Sequence, residues 1–362
     1  MSALREFFRM HPLAFRASVA IAIGFSFAAI WISSEHHVFR VLGQPAVTGF
    51  IQSGVEEPFF RSLSRTSGLS AEFRYLPLER DIAREESGLD ALNKGIYDIV
   101  SLRFAQLTHV EPVIAGIDLP GTAIDYPLVR AVARRYAPLI DKALQERWGS
   151  RLLAVWPFGP QVLICSTPLR GLGDLHGRRV RSTGPTLQAL LRAMGAIPIT
   201  ISYADTRRAL ETRAVDCATS SLVSARDAGW FEVARNILLL PVQFGLNGYA
   251  ISERAWRMLS ASQQDALARS FDAHAQAIWS ASEKLHADIV RCATGEDPCV
   301  DRMRLVLVQP GQADLQFLRS HVLNEGLEEW AKSAGPCRTC RDDWLRTVGR
   351  LLDPSAGTGN RP

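Results

Sequence analysis

The chain has 362 residues, 47% hydrophobic and 22% charged, an ordinary globular composition and enough length for two domains whose cores need no metal or disulfide support. Its formal net charge is only +4 with no dense Lys/Arg run, which argues against a nucleic-acid partner. No G-x-S-x-G, H-E-x-x-H or Walker phosphate loop occurs, so the common hydrolase, zinc-protease and nucleotide-binding signatures are missing as well.

At the N-terminus, Arg5, Arg9 and Arg16 precede an apolar stretch from Ala17 to Ile32, and Ser33, Ser34 and Glu35 close it. This is the layout of a secretory signal or an uncleaved anchor. The stretch is short for a full span of ~20 residues. Bulky Ile30, Trp31 and Ile32 stand where a small-x-small cleavage site belongs, which favours the anchor. His36-His37 reads as linker, with a metal-binding pair as the alternative. Residues 1–37 are thus set apart from the folded part.

From Val38 the chain alternates strand and helix signals. Val38–Leu42 is a short apolar run, Phe50–Leu63 has helical character, Ala71–Leu76 reads as a strand and Ile82–Leu92 as a helix that Gly95 ends. Ile96–Leu102 is the next strand. This βαβαβ order predicts a parallel sheet covered by helices. The pattern returns downstream. Arg178–Ser182 is a strand, and Gly184-Pro185 opens a helix whose apolar face is Leu187, Leu190, Leu191 and Met194. Gly195 ends that helix. Ile197–Ile201 is a strand, Asp205 is placed to cap a helix running to Arg213, and Val215–Thr219 is the third strand. Ala91-Leu92-Asn93-Lys94-Gly95-Ile96-Tyr97-Asp98 aligns without gaps on Ala209-Leu210-Glu211-Thr212-Arg213-Ala214-Val215-Asp216. Two similar α/β units suggest a hinged cleft, since ligands of open α/β sheets sit beyond the carboxyl ends of the strands.

The last third is helical. Leu267, Phe271, Ile278, Leu285 and Ile289 share one face, with Ser260 and Gln263 as a capping box at the start. A second helix is expected over 313–333, and 353–362 reads as a disordered tail. Cysteines occur as close pairs, Cys292 with Cys299 and Cys337 with Cys340, as suits an oxidising compartment. Four cysteines allow three connectivities, and a zinc site made by all four is the alternative. Cys165 and Cys217 lie in apolar strand-like runs and read as buried, inert thiols.

Asp174-Leu175-His176-Gly177-Arg178-Arg179-Val180-Arg181, Met194-Gly195-Ala196-Ile197-Pro198, Ala209-Leu210 and Val215-Asp216 together resemble the solute-binding proteins of tripartite ATP-independent periplasmic (TRAP) transporters, of the C4-dicarboxylate-binding type. Ile117-Asp118-Leu119-Pro120 and the stretch from Asn247-Gly248-Tyr249 through Gln263 fit the same family, so the resemblance spans about residues 38–333. It implies an α/β fold of the periplasmic-binding-protein-like class II, two α/β lobes with a ligand cleft and long C-terminal helices. The first lobe would hold 38–160 with part of 242–333, and the second 161–241. Lobe-crossing and C-terminal helices would occupy 242–352.

The resemblance also implies a role for Arg181. In the family the arginine at this place holds a ligand carboxylate, and a guanidinium offers two parallel donors that match one. The N–H groups near Ser182, Thr183 and Gly184 would add to an anion site. The chain departs from the family at three places. Gln161 stands where many members carry a second arginine, Ser220 or Ser221 where many carry a ligand-touching asparagine, and Arg213 where glycine is preferred. On the first lobe, Gln44 ends the first strand and Arg103 follows the third, and both are candidates to face the cleft. Trp230, Phe244 and Tyr249 are candidates for its lining, with core packing as the alternative.

The expected function is capture, not catalysis: a small organic acid held in the cleft, no cofactor, and TRAP membrane subunits as the partners implied by the resemblance, with contact to the membrane through the N-terminal segment if it is uncleaved. Three rival readings stand beside it. One is a membrane-anchored ligand sensor of the same fold. Another is a thiol–disulfide enzyme using Cys337-Arg338-Thr339-Cys340. The third is the same fold turned to a neutral or larger ligand.

Overall fold

A computed structural model describes residues 37–78, 88–182, 184–299, 303–333, 337 and 339–352. The expected anchor, most of the segment expected to be helical over 82–92 and the C-terminal tail lie outside these residues. Phe39–Leu69 and the chain from Phe73 onward form one compact unit, which contains both sheets apart from a few strand residues.

The first sheet is built from β1 (His37–Gly43), β2 (Ala71–Pro77), β3 (Ile99–Arg103), β4 (Ser150–Pro157) and a strand that arrives late in the chain, β10. Helix α1 (Glu57–Ser67), entered through a wider turn at Ile51–Glu56, joins β1 to β2, and α2 (Gly88–Asn93) leads to β3. Helix α3 (Tyr126–Trp148) precedes β4; its N-cap is Asp125, whose side chain accepts from Leu128 N–H. The second sheet begins with β5 (Gln161–Cys165) and β6 (Arg179–Ser182). It continues through α4 (Pro185–Ala193), β7 (Ile197–Thr200), α5 (Thr206–Glu211), β8 (Cys217–Ser220), α6 (Leu222–Asp227) and β9 (Asn236–Gln243). Strand β10 (Leu246–Ser252) returns to the first sheet, the long helix α7 (Ala261–Thr294) follows, and β11 (Val306–Val308), α8 (Gln312–His321) and α9 (Leu327–Ser333) come after it.

The strand orders are β2-β1-β3-β10-β4 and β11-β9-β5-β8-β6-β7. In each sheet the βαβαβ unit supplies parallel neighbours, β1 beside β3 and β6 beside both β7 and β8. Each sheet is completed by an antiparallel strand that follows a crossing between the sheets, β10 beside β3 in one and β5 beside β8 in the other.

The repeated eight-residue phrase builds the same turn twice. Ile96 and Tyr97 N–H both reach Ala91 O, and Ala214 and Val215 N–H both reach Ala209 O. Gly95 and Arg213 occupy the same place in it, both left-handed, with φ of 68° and 56°. Arg213 is the one non-glycine residue in that region among the described residues. The closing aspartates bind alike. Asp98 accepts Arg40 N and Nε at 2.9 and 3.1 Å, and Asp216 accepts Arg179 N and Nε at 2.8 and 3.2 Å.

Two expectations are corrected. Cys165 and Cys217 are buried but are not free thiols. They stand opposite each other on antiparallel β5 and β8, with Cα atoms 4.0 Å apart, and form a disulfide. Strand pairing brings together what sequence distance had separated. Asp205 makes no side-chain cap on α5; its carboxylate takes the Ser202 hydroxyl instead. The two close cysteine pairs are bridged as Cys292–Cys299 and Cys337–Cys340, and no group of residues suited to a metal ion occurs among the described residues.

Helix α7 is 34 residues long, roughly 50 Å, and starts with the Ser260–Gln263 capping box. It packs on β4 and α1 of the first lobe and on α6 and β11 of the second. Leu267, Phe271, Ile278 and Ile289 on its predicted face are buried, and half-buried Leu285 packs against the second lobe's core.

Candidate functional site

Arg181 lies near the carboxyl end of β6, opposite Ala218 of β8. Val180, one residue earlier, is in the core on one face of the sheet, beside Cys165 and Leu190. The side chain of Arg181 emerges on the other face, whose core holds Ala218 and Trp230. It is 5% exposed. Its Nε donates to Ile201 O at 3.1 Å and one Nη to Thr219 O at 3.2 Å. Both carbonyls sit at or just past the ends of neighbouring strands, so the guanidinium is fixed along the edge of the sheet. Its carbon lies 5.9 Å from the centre of the Trp230 ring.

A guanidinium has five N–H donors. Its bonds here are to carbonyls, and no carboxylate among the described residues pairs with it. Burial pulls its pKa down to about 10, which leaves it a cation at neutral pH. Trp230 Nε1, on the face of Arg181, and Ser182 Oγ, on the opposite face of β6, are buried polar atoms with no hydrogen-bond partner among the described residues. The region therefore holds one unpaired buried cation and donors to spare.

Strand order β5-β8-β6 brings Gln161, Ser220 and Arg181 to one edge of the second sheet. Ser220, opposite Val162, is buried. Ser221 is the N-cap of α6, and its hydroxyl accepts from Ser224 N–H. Gln161 sits at the crossing between lobes, where its Nε2 donates to Gly159 O at 2.9 Å.

The first-lobe candidates are placed differently. Gln44 is fully buried; its Nε2 donates to Ser101 Oγ at 3.0 Å and its backbone N–H to Glu56 Oε2 at 2.7 Å. Glu56 also accepts from Tyr75 OH at 2.7 Å, and its burial raises its pKa against the pull of these bonds. The Gln44 side chain is thus engaged inside the first lobe. Arg103, half-buried, ends β3 opposite Asn247 of β10, next to the strand that crosses between lobes. Of the aromatic candidates, Trp230 lies beneath Arg181, whereas Tyr249 is a core residue bonded to His274 and Phe244 packs edge-on against Tyr126.

The two segments that cross between the sheets run side by side. Phe158 N–H reaches Gly245 O and Gly159 N–H reaches Phe244 O, at 3.0 and 3.1 Å, so the outgoing and returning segments pair. Asp118 holds this pair to the first lobe by accepting Phe244 N–H and Leu246 N–H at 3.0 and 3.1 Å. Gly159 has φ of 120°, and a Cβ there would come within 2.9 Å of Ser282 Oγ on α7 and 3.2 Å of Tyr126 OH. In the sequence Asp118 stands out only within the family phrase Ile117-Asp118-Leu119-Pro120. Its clamp is visible only once the distant strand has returned.

Residues 78–296, about three-fifths of the chain, match the bacterial extracellular solute-binding proteins of family 7, DctP. The sialic acid-binding periplasmic protein SiaP of Vibrio cholerae is 22% identical over 245 residues, covering 66% of this chain and 75% of that protein. The C4-dicarboxylate-binding periplasmic protein DctP of Rhodobacter capsulatus is 30% identical over 100 residues, covering 27% of this chain and 30% of that one. Among solved structures, DctP7 of Bordetella pertussis, an extracytoplasmic solute receptor binding pyroglutamic acid, aligns with a TM-score of 0.72 at 16% identity, covering 86% of this chain and 99% of its own. A TRAP periplasmic solute-binding protein of Desulfovibrio salexigens with bound orotic acid aligns at 0.73 and 15% identity, covering 87% and 99%. At such identities the solved structures speak for the fold alone; the match over three-fifths of the chain speaks for the lineage. The chain belongs to family 7 of the bacterial extracellular solute-binding proteins, and is a solute receptor and not an enzyme.

Proposed function

We propose that this receptor captures a small organic acid between its lobes for uptake, and that Arg181 holds the acid's carboxylate. The observation that carries the reading is the buried guanidinium of Arg181, fixed by two carbonyls with no carboxylate partner among the described residues. A buried charge without a counterion is costly unless a ligand supplies one. Ser220, at the same edge, and Gln161, at the hinge, are the candidate neutral contacts, with Ser221 supporting the turn between them and α6. Gln44 and Arg103 are the first-lobe candidates, Gln44 through the wall it braces. The lobes are 38–160 with part of 242–333, and 161–241; closure follows hinge motion at 157–161 and 243–246. The loaded receptor then delivers to TRAP membrane subunits. The receptors noted above bind pyroglutamic and orotic acids, both carboxylates, which supports the class of ligand without naming it.

The test is thermal shift and calorimetry of the purified protein against a panel of carboxylates, sugar acids, amino acids and neutral sugars. A ligand at a hundred times its Kd adds about 2.7 kcal/mol of stability. The expected result is one responsive acid whose binding weakens at least 30-fold in Arg181→Ala, on the order of 2–5 kcal/mol. Binding that survives Arg181→Ala, or a response to neutral sugars alone, refutes the assignment.

A further inference from the structure

Asp227 is the last residue of α6 in the second lobe. One carboxylate oxygen, Oδ1, takes Nε and Nη2 of neighbouring Arg226 at 3.0 and 2.8 Å. The other, Oδ2, faces the first lobe, where Phe50 N–H reaches it at 3.3 Å. Phe50 opens the helical run that leads into α1. Gln52 and Ser53 N–H both donate to Gly49 O, so the Phe50 N–H belongs to the first turn and has no acceptor within its own helix. An aspartate at the carboxyl end of its own helix gains nothing from that helix's dipole. Across the cleft the same carboxylate meets the amino end of another helix, where a negative acceptor is favourable.

The facing residue fits the contact. Gly49 has φ of 73°, and a Cβ on it would lie 2.7 Å from Asp227 Oδ2, so only glycine leaves room for the carboxylate. The lobes meet at a second point, where a Cβ on Gly184 would come within 3.2 Å of Ala105 O. Gly184 is three residues beyond Arg181, and Tyr203 feels the charges of both Asp227 and Arg181.

We infer that Asp227 is a latch between the lobes: a capping carboxylate that one lobe lends to a helix of the other, made only when the cleft is shut. The inference rests on the reading of the chain as a hinged receptor, and not on which solute it takes. The latch sets the share of closed molecules and the time a solute stays inside, while Arg181 sets what is held.

The experiment reads closure directly, without a ligand. Spin labels are introduced through non-cysteine chemistry at exposed Arg65 of α1 and Glu211 of α5, since the chain's own cysteines are paired. Interlobe distances are measured in the full chain, and amide exchange is followed over residues 49–53. In Asp227→Ala the closed-to-open ratio falls roughly five- to tenfold, the effect of losing one helix cap, and exchange at 49–53 speeds up. Asp227→Asn, which keeps one acceptor, falls between the two. Circular dichroism melts verify that each variant is folded. Distances and exchange that are the same in the parent, Asp227→Ala and Asp227→Asn overturn the latch. A chain that opens on Asp227→Ala but binds no acid keeps the latch and loses the ligand assignment, so the two readings fail separately.

Discussion

His274, on α7, is buried with its ring 3.8 Å from that of Phe59, and its Nε2 is within 3.1 Å of Tyr249 OH. Burial pulls its pKa from 6.5 to about 3, and the same cause takes His286 to about 4. Both are therefore neutral in the folded protein where the unfolded chain already binds a proton. Such groups contribute stability that is full above about pH 6.5 and is lost as pH falls toward the folded value. Well inside that window His274 should steepen the loss by about 1.4 kcal/mol per pH unit. His274→Gln is expected to be less stable at pH 7 yet to lose less on going to pH 5, and urea melts at the two values check it. Parallel pH profiles in the two proteins refute this account. At this scale the place of Arg181 near the end of a strand was legible from the motif around it. Gln44 was less so: its position at the end of β1 was right, but that its amide turns to Ser101 depends on a partner fifty-seven residues away.

Elements were read well where the period was local. Gly195 and the Ser260–Gln263 box mark their helix ends as expected. Reading stopped where a partner was remote. The strands that complete each sheet, β5 and β10, cross from the other lobe, and nothing near them in sequence announces their neighbours. The Cys165–Cys217 bridge was missed for the same reason. It links positions 52 apart in sequence, which on the chain-entropy account is worth about 4 kcal/mol, against about 2 kcal/mol for Cys292–Cys299 at a separation of 7. The double variant Cys165→Ala/Cys217→Ala should therefore lower the denaturation midpoint more than Cys292→Ala/Cys299→Ala. The opposite order would show that unfolded-state loop length does not govern these bridges.

The molecule as a whole is held by its last helices. Leu318 of α8 is in the second lobe's core, while Trp330 and Trp344 donate their indole N–H groups to Pro112 O and Gly116 O of the first lobe, each at 2.8 Å. Trp344 is fully buried. Trp344→Ala should cost about 3–5 kcal/mol, a drop in Tm on the order of 10 °C, measurable by calorimetry. An unchanged Tm would mean that the C-terminal segment is not part of the cooperative fold. The two-lobe plan was legible from the repeated phrase, but its closure by the C-terminal segment was not, since these tryptophans anchor to backbone carbonyls more than two hundred residues upstream.

The repeated turn aligns the two lobes residue by residue. Arg40 answers to Arg179 through the matching aspartates, and two places further on Leu42, paired with Val100, answers to Arg181, paired with Ala218. The same backbone position thus carries a hydrocarbon on one wall and a cation on the other. Two walls drawn to one plan have been made electrically unequal at this matched pair, and the cleft has a head and a foot. If Arg181 holds the acid as proposed, a solute with a single acid group would find its berth at one end only, and whatever trails behind that acid would always be presented to the same wall.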